Sequence, residues 1–303
     1  MTNLSVARSA PPAAATPATS GIAPEASLAG RIAAEIESGK VELPVLPEAA
    51  VRVREIVGAG GSARELVSVI EREPSLAAAI LRYSNSVAYA GLREITDLHQ
   101  AVMRLGFSAV EQTVIALSAR NVFQATDKAD EQIYRALWTH SIATALAARR
   151  LAPRASDFNP EAVFLSGLLH DIGKVVVLRC AALMRRRDPA RFTFERSTLV
   201  EFLDALHCNA GDRLCRAWNL PAEIREVVKR HHDAALDAPG DALVAIVQLA
   251  NGVATKIGAS LEPDPHVSLL DLSGAALLRL DDVKLAALLV DVEDDVARME
   301  EGF

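Results

Sequence analysis

One short stretch of this sequence, Phe164-Leu-Ser-Gly-Leu-Leu-His-Asp-Ile-Gly-Lys174, places an imidazole, a carboxylate, a glycine and an ammonium at the end of an apolar run. The pattern is typical of a helix that delivers polar side chains to the edge of a core, and we expect Gly173 to end that helix. His170-Asp171 is therefore the expected chemical centre. The pair alone is weak evidence, because a second one occurs at His232-Asp233.

The composition favours an all-helical protein. Half of the 303 residues are hydrophobic but only 4% are aromatic, so the core must consist of Ala, Leu, Val and Ile. We find no two-residue alternation and no hairpin turn signal. Residues 175–178 are the one strand-like run, and they are too few to make a sheet. The chain is long enough for one large domain or two modest ones.

Charge and cysteine content exclude several classes of function. Lys and Arg number 32 against 39 Asp and Glu, a net charge of −7, which argues against a nucleic-acid partner. Cys180, Cys208 and Cys215 show no C-x-x-C spacing, so we interpret them as small apolar side chains in a reducing, cytoplasmic protein. No run approaches the roughly 18 apolar residues of a spanning helix, and no signal-peptide block is present. We therefore expect neither export nor membrane insertion.

The chain divides into three predicted parts. Residues 1–27 are rich in Ala, Pro, Ser and Thr and predict a disordered tail. A transit peptide is the alternative, and it is disfavoured because Arg8 is the only basic residue there. Apolar residues at helical spacing then predict an N-terminal helical subdomain at 28–127 and a second one, with closing C-terminal helices, at 128–303.

Local signals predict where individual helices begin and end. Ser62, with Glu65 three residues later, forms a capping box, and Pro160 begins the helix that leads to His170. Gly106 closes one helix, and we expect Ser108 to cap the next. Residues 197–208 and 210–217 are predicted as separate helices.

Five of the seven histidines fall in one part of the chain. A lone histidine on a helix is usually a satisfied core residue, but five of them together with Asp171 indicate a metal site, because imidazole and carboxylate are ligands of Fe, Mn, Zn and Ni. Lys174 is placed to meet a phosphate or to pair with a carboxylate. A metal-free polar network that joins the helices stays open as an alternative. The five are His140, His170, His207, His231 and His232.

The central stretch resembles a known superfamily. Leu165-x-Gly-Leu-Leu-His-Asp-Ile-Gly-Lys174, with His140 thirty residues earlier, is similar to the HD-domain superfamily of metal-dependent phosphohydrolases. Further motifs over residues 28–290 resemble the HDOD family in particular. They are Leu43-Pro-x-Leu-Pro47, Glu73–Arg82, Ser84-Asn-Ser86 with Tyr89, Ala101-Val-x-x-Leu-Gly106, His207-x-x-x-Gly211, Trp218-Asn-Leu-Pro221 and His231-His232.

This resemblance implies an N-terminal helical bundle packed on an HD-like bundle, and a degenerate metal site. His140, His170 and Asp171 match the ligands of a first metal, and His207, His231 and His232 match second-metal positions of the HD-GYP phosphodiesterases. One or two divalent transition metals are thus implied. Asn251 stands where the HD pattern closes with an aspartate, Ala136 stands where a glutamate sometimes supports a two-metal site, and the Gly-Tyr-Pro motif is absent.

Two functions follow as hypotheses. The resemblance favours a non-catalytic bacterial signalling module, of the kind associated with two-component and cyclic-di-GMP networks, that binds signalling proteins or a nucleotide second messenger. The alternative is a metal-dependent phosphohydrolase or cyclic-dinucleotide phosphodiesterase, with Asp171 and Lys174 as catalytic residues. The apolar richness of the helices also suggests a homodimer.

Overall fold

The computed structural model describes residues 28–86, 89, 93–125, 127–154, 158–236 and 238–301. The predicted tail at 1–27 lies outside these ranges. Within them the chain forms helices joined by turns and short 3-10 segments, and this part of the chain contains no strand. The all-α prediction is therefore confirmed. No helix in the described ranges has both the length and the apolarity that a membrane crossing requires.

The first group of helices follows the local signals in the sequence. They are α1 (Leu28–Glu37), α2 (Glu48–Gly58), α3 (Ala63–Ile70), α4 (Pro74–Ser84), α5 (Leu98–Leu105) and α6 (Phe107–Val122). Ser62 and Glu65 form the predicted capping box at the start of α3. Gly106, with a positive φ of 81°, separates α5 from α6. Ser108 therefore lies inside the first turn of α6, and its prediction as a cap is wrong.

The second group carries the predicted chemistry. It consists of α7 (Glu131–Leu151), α8 (Pro160–Leu169), α9 (Ile172–Arg187), α10 (Arg196–Ala217), α11 (Ala222–Arg230), α12 (Ala242–Lys256), α13 (Ser273–Leu277) and α14 (Asp282–Glu301). Pro160 begins α8 as predicted, and the Asn159 side chain caps it by accepting a hydrogen bond from Glu161 N at 2.9 Å. Residues 197–217 form one helix, α10, so the predicted break near residue 209 is wrong.

The structure corrects the interpretation of two sequence features, the strand-like run at 175–178 and the predicted helix end at Gly173. Residues 175–178 are four consecutive, fully buried residues of α9, so the apolar run reflects a helix that is enclosed by the core. Helix α8 ends at Leu169, and Gly173 lies in the first turn of α9. A Cβ at Gly173 would lie 1.9 Å from His207 O and 2.5 Å from Gly211 N. The glycine is therefore required by the close approach of α9 and α10, not by the end of a helix.

A continuous apolar core joins the two groups of helices. It extends from Ile32 on α1 to Val228 on α11 and includes the buried faces of α8, α9 and α10. A second cluster lies between α7, α12, α13 and α14. The first core contains residues on both sides of the predicted boundary between residues 127 and 128. The division into two subdomains stays a prediction.

Polar contacts also connect the two groups. The Trp218 indole N–H donates to Pro44 O at 2.7 Å, and the Arg54 guanidinium donates to the backbone carbonyls of Trp218 and Asn219. The Tyr89 hydroxyl donates to the buried Glu161 carboxylate at 3.3 Å. These contacts fix the N-terminal helices against α8 and against the end of α10.

Candidate metal centre

The corner between α8 and α9 places His170 and Asp171 in the interior. His170 is the C-cap of α8 and Asp171 the N-cap of α9, so two residues turn the chain between two buried helices. Both side chains are 0–3% exposed. Helices α7, α10 and α11 bring His140, His207 and His231 against this corner.

Each of four imidazoles is held in one orientation by a backbone carbonyl. Because a carbonyl oxygen only accepts hydrogen bonds, each Nδ1 must carry the proton, and Nε2 of the neutral ring carries the lone pair. The four Nδ1-to-carbonyl hydrogen bonds could not be predicted from the sequence. The pairs are His140 Nδ1 with Ala259 O at 2.8 Å, His170 Nδ1 with Gly167 O at 2.8 Å, His207 Nδ1 with Leu203 O at 2.8 Å and His231 Nδ1 with Val227 O at 3.1 Å.

The four Nε2 atoms converge on the two oxygens of Asp171. Nε2 of His140 and Nε2 of His170 are 3.3 Å apart, and they lie 3.6 and 3.5 Å from Oδ2 of Asp171. Nε2 of His207 and Nε2 of His231 are also 3.3 Å apart, and they lie 3.3 and 3.5 Å from Oδ1. The carboxylate therefore faces one pair of imidazoles with each oxygen.

Burial keeps the inner imidazoles neutral. It lowers the pKa of His140 and, more strongly, that of His170, although the Asp171 carboxylate opposes the change. Two neutral rings with Nδ1 protonated cannot share a proton between their Nε2 atoms, so two lone pairs face each other at 3.3 Å. A bound cation would satisfy both of them.

Asp171 is a buried anion. Burial alone would raise its pKa, but the Lys174 ammonium, 2.8 Å from Oδ2, holds the pKa well below its ordinary value. Burial would lower the pKa of Lys174, and the carboxylates of Asp171 and Asp204 raise it instead. Oδ1 accepts no hydrogen bond within the described residues, because the nearest ring nitrogens hold lone pairs. One carboxylate oxygen is thus free for a metal.

A second group of ligand atoms lies at the outer side of the cluster. The ligand atoms of His207, Cys208, His231 and His232 lie within 4.8 Å of one another, as do those of the inner group, His140, His170 and Asp171. Cys208 is half-buried and His232 exposed. Burial raises the pKa of the Cys208 thiol to about 11. Although part of His232 is exposed, desolvation of its ring, together with the neighbouring imidazoles of His231 and His207, lowers its pKa to about 4.

Sequence reasoning missed Cys208, which we had interpreted as an apolar filler. That interpretation fits Cys180 and Cys215, which are fully buried. The available signal in the sequence was the position of Cys208 directly after His207.

Asn251 and Ala136 have less direct relations to the cluster. Asn251 is half-buried on α12, which packs against α7, and no hydrogen bond within the described chain joins its amide to the histidines or to Asp171. Its role as a ligand stays a prediction. Ala136 lies one turn before His140 on α7 and supplies no ligand atom.

The residues present fit a divalent transition metal. Imidazole nitrogens with a carboxylate are the donor set of Zn, Fe, Mn and Ni sites, and each metal-directed nitrogen here has its other ring nitrogen hydrogen-bonded to a carbonyl, the arrangement that orients metal-ligating histidines. Two sets of donors on the two sides of Asp171 provide for one or two ions.

The sequence has a curated relative that covers two thirds of the chain. A curated relative, an uncharacterized protein from Treponema pallidum (strain Nichols), is 26% identical over 210 residues, which are 67% of this chain and 40% of that protein. The chain thus spans well under half the length of this relative.

Solved structures share the fold. A candidate metal-dependent phosphohydrolase from Shewanella amazonensis SB2B is 21% identical and has a TM-score of 0.71, covering 91% of this chain and all of that one. An HDOD domain protein from Geobacter sulfurreducens is 23% identical with a TM-score of 0.67, covering 88% and 95%. A candidate signal transduction protein from Marinobacter aquaeolei VT8 is 23% identical with a TM-score of 0.57, covering 87% and 60%. Identities this low show a common fold and do not transfer activity.

The family assignment rests on the sequence match. The model of the HDOD domain matches residues 43–234, which is more than half of the chain and contains the corner at His170-Asp171 and the imidazoles that surround it. The chain belongs to the HDOD domain family.

Proposed function

We propose that the chain is a non-catalytic bacterial signal-transduction module, which acts by binding a signalling protein or a small ligand. The observation that carries this proposal is the burial of the inner group. The side chains of His140, His170 and Asp171 are 0–4% exposed. Hydrolysis of a phosphodiester needs a metal with an open coordination position that water and substrate can reach. A metal held by these enclosed side chains would not be accessible to a substrate from solvent.

Lys174 supports the same proposal. A lysine that serves a phosphate must present its ammonium to the substrate. Here the Lys174 ammonium contacts Asp171 Oδ2 at 2.8 Å and Asp204 Oδ1 at 3.4 Å, and its side chain is 13% exposed. Both carboxylates therefore neutralise the charge that a catalytic role would use.

A groove beside α7 supports ligand binding. It has a volume of about 710 Å³ and includes Lys128, Arg135, Thr139 and Ala259 in its lining. Ala259 also accepts the hydrogen bond from His140 Nδ1. Glu131 also lines the groove and contacts Arg135 at 3.6 Å, so Lys128 is the side chain that suits an anionic ligand such as a nucleotide second messenger. Ala259 links the groove to the cluster. The cytoplasmic location and the homodimer stay predictions.

The alternative is a metal-dependent phosphohydrolase that uses the same residues. The convergence of four Nε2 atoms on Asp171 favours it, since His140, His170 and Asp171 are suited to hold a metal. A metal bound there would supply Lewis-acid polarisation and a water of lowered pKa. In this case Lys174 would have to leave Asp171 and hold a phosphate oxygen.

Turnover at known metal content separates the two functions. The protein is loaded with Mn²⁺, Fe²⁺ or Zn²⁺, its metal content is measured by plasma mass spectrometry, and hydrolysis of bis(p-nitrophenyl) phosphate and of cyclic di-GMP is followed. We expect no turnover above that of the Asp171→Ala variant, and no gain from Asn251→Asp even at full occupancy. Metal-dependent turnover that Asp171→Ala abolishes would refute the non-catalytic proposal.

A further inference from the structure

Cys208 contributes its sulfur to the outer group of ligand atoms. Its sulfur lies 3.3 Å from His207 Nε2 and within 4.8 Å of the ligand atoms of His231 and His232. The two other cysteines are enclosed in the apolar core. Cys208 is the one thiol of the described chain that belongs to a group of metal-ligating side chains.

The hydrogen-bond capacity of the outer group is exceeded. His207 donates through Nδ1 to Leu203 O, so its Nε2 offers a single lone pair. That nitrogen has four polar neighbours at 3.2–3.3 Å: Cys208 Sγ at 3.3 Å, His232 Nε2 at 3.2 Å, His231 Nε2 at 3.3 Å and Asp171 Oδ1 at 3.3 Å. Only one of them can donate to the lone pair, and Nε2 of His231 holds a lone pair of its own. A cation would satisfy all four ligand atoms together.

The separations suit a small tetrahedral ion. With zinc-to-nitrogen bonds of about 2.0–2.1 Å and a zinc-to-sulfur bond of about 2.3 Å, tetrahedral ligand atoms lie about 3.3–3.6 Å apart. The distances from His207 Nε2 to the other three ligand atoms are 3.2–3.3 Å. The exposed His232 and the half-buried Cys208 leave this group accessible from solvent, whereas the inner group is enclosed.

We propose that His207, Cys208, His231 and His232 form a His₃Cys site for Zn²⁺ on the Oδ1 side of Asp171, which does not use His140 or His170. The three histidines match positions that the family resemblance connects with a second metal, and the sulfur ligand is what changes the site. A thiolate favours Zn²⁺ and Co²⁺ over the harder Mn²⁺ and Mg²⁺. On binding, the thiol proton leaves to solvent and the sulfur bonds the ion.

A closed site of four protein ligands has a structural consequence. Structural zinc sites are four-coordinate, whereas catalytic sites keep a position for water. The ion would join α10, which carries His207 and Cys208, to the end of α11, which carries His231 and His232. The site is independent of whether the module is catalytic, because its test measures sulfur ligation and not turnover.

Cobalt substitution tests the proposal directly. The metal-free protein is titrated with Co²⁺ under reducing conditions, and the absorption spectrum is recorded. We expect intense visible bands of a tetrahedral ion and a near-ultraviolet thiolate-to-cobalt charge-transfer band that saturates at one equivalent. Competition by Zn²⁺ should abolish both, and excess Mg²⁺ should not.

Three variants locate the sulfur. Cys208→Ser should lose the charge-transfer band and bind Zn²⁺ at least tenfold more weakly. Cys215→Ala removes a buried thiol from the same helix and should keep the band. His170→Ala removes one ligand of the inner group and should also keep the charge-transfer band. Far-ultraviolet circular dichroism and thermal unfolding of each variant verify that it folds.

Each contrary result overturns a stated part of the proposal. Absence of the band from the folded wild type, or its persistence in Cys208→Ser, excludes Cys208 as a ligand. Loss of the band in folded His170→Ala excludes a site that is independent of His140 and His170. None of these results depends on turnover, so they are distinguishable from failure of the non-catalytic proposal.

Discussion

Replacing Gly173 by alanine should lower both the stability of the fold and the metal affinity of the candidate site. The added Cβ would lie 1.9 Å from His207 O and 2.5 Å from Gly211 N. Both are backbone atoms, so no side-chain rotation relieves the contact. To reach an ordinary van der Waals distance of about 3.4 Å, α9 and α10 would have to move apart locally by about 1.5 Å.

The loss in free energy of unfolding should lie near the upper end of the range for overpacked cores. Extra methyl groups in well-packed cores cost about 1–3 kcal/mol, occasionally more. We expect about 3 kcal/mol for Gly173→Ala, because the neighbours are main-chain atoms and the surrounding α9 side chains are fully buried. The same movement carries His207 away from Asp171 Oδ1, now 3.3 Å from its Nε2. Metal affinity should therefore fall by about 10- to 100-fold, as it does when supporting contacts of a ligand are lost.

Urea denaturation of the metal-free proteins measures the change in stability, and competition with a chromophoric chelator measures the change in metal affinity. Gly58→Ala is the matched control, because Gly58 ends α2 and a Cβ there meets nothing within 4 Å. That variant should be as stable as the wild type or gain up to about 1 kcal/mol. A Gly173→Ala protein within about 0.5 kcal/mol of the wild type would show that α9 and α10 do not approach as described.

Three further predictions concern single contacts and pH, each measured by urea denaturation. Trp218→Phe removes a 2.7 Å hydrogen bond from the indole to a backbone carbonyl and should cost about 1 kcal/mol; an unchanged midpoint would contradict it. Arg185→Ala leaves the buried Asp130 carboxylate, which it contacts through two nitrogens, without that partner and should cost about 3 kcal/mol, whereas Arg185→Ala with Asp130→Asn should recover part of the loss. Burial lowers the pKa of His140 and His170, so below the ordinary histidine pKa of about 6.5 the unfolded chain binds more protons than the folded one. The free energy of unfolding of the metal-free protein should therefore be constant above that pH and fall below it by up to about 1.4 kcal/mol per pH unit for each ring. A free energy of unfolding that does not change from pH 7 to 5 would refute this prediction.

Much of the fold could be predicted because helix ends are set by neighbouring residues. The capping box at Ser62 and the proline at position 160 act over three or four residues, and the structure confirms both. Gly173 shows the limit of such signals. A glycine ends a helix or permits a close approach, and only the position of α10 decides between the two.

The site was predictable in its residue types and not in its arrangement. The sequence indicated which histidines belong together through the family resemblance, but the direction of each ring depends on a carbonyl from the fold. His140 is the clearest case, since its Nδ1 bonds to Ala259, 119 residues away. Cys208 was missed because its chemistry depends on His231 and His232, which come from another helix.

Helix α8 connects the N-terminal helices to the candidate metal centre. At its start the Glu161 carboxylate accepts a hydrogen bond from Tyr89, and at its end His170 enters the cluster. Between these ends, six of its residues are buried, and a Cβ at Gly167 would lie 2.9 Å from Ala145 Cα of α7. A helix packed this closely cannot absorb a displacement by local repacking. A displacement of Tyr89 would therefore shift His170 as well, which is the coupling that the proposed regulatory role requires.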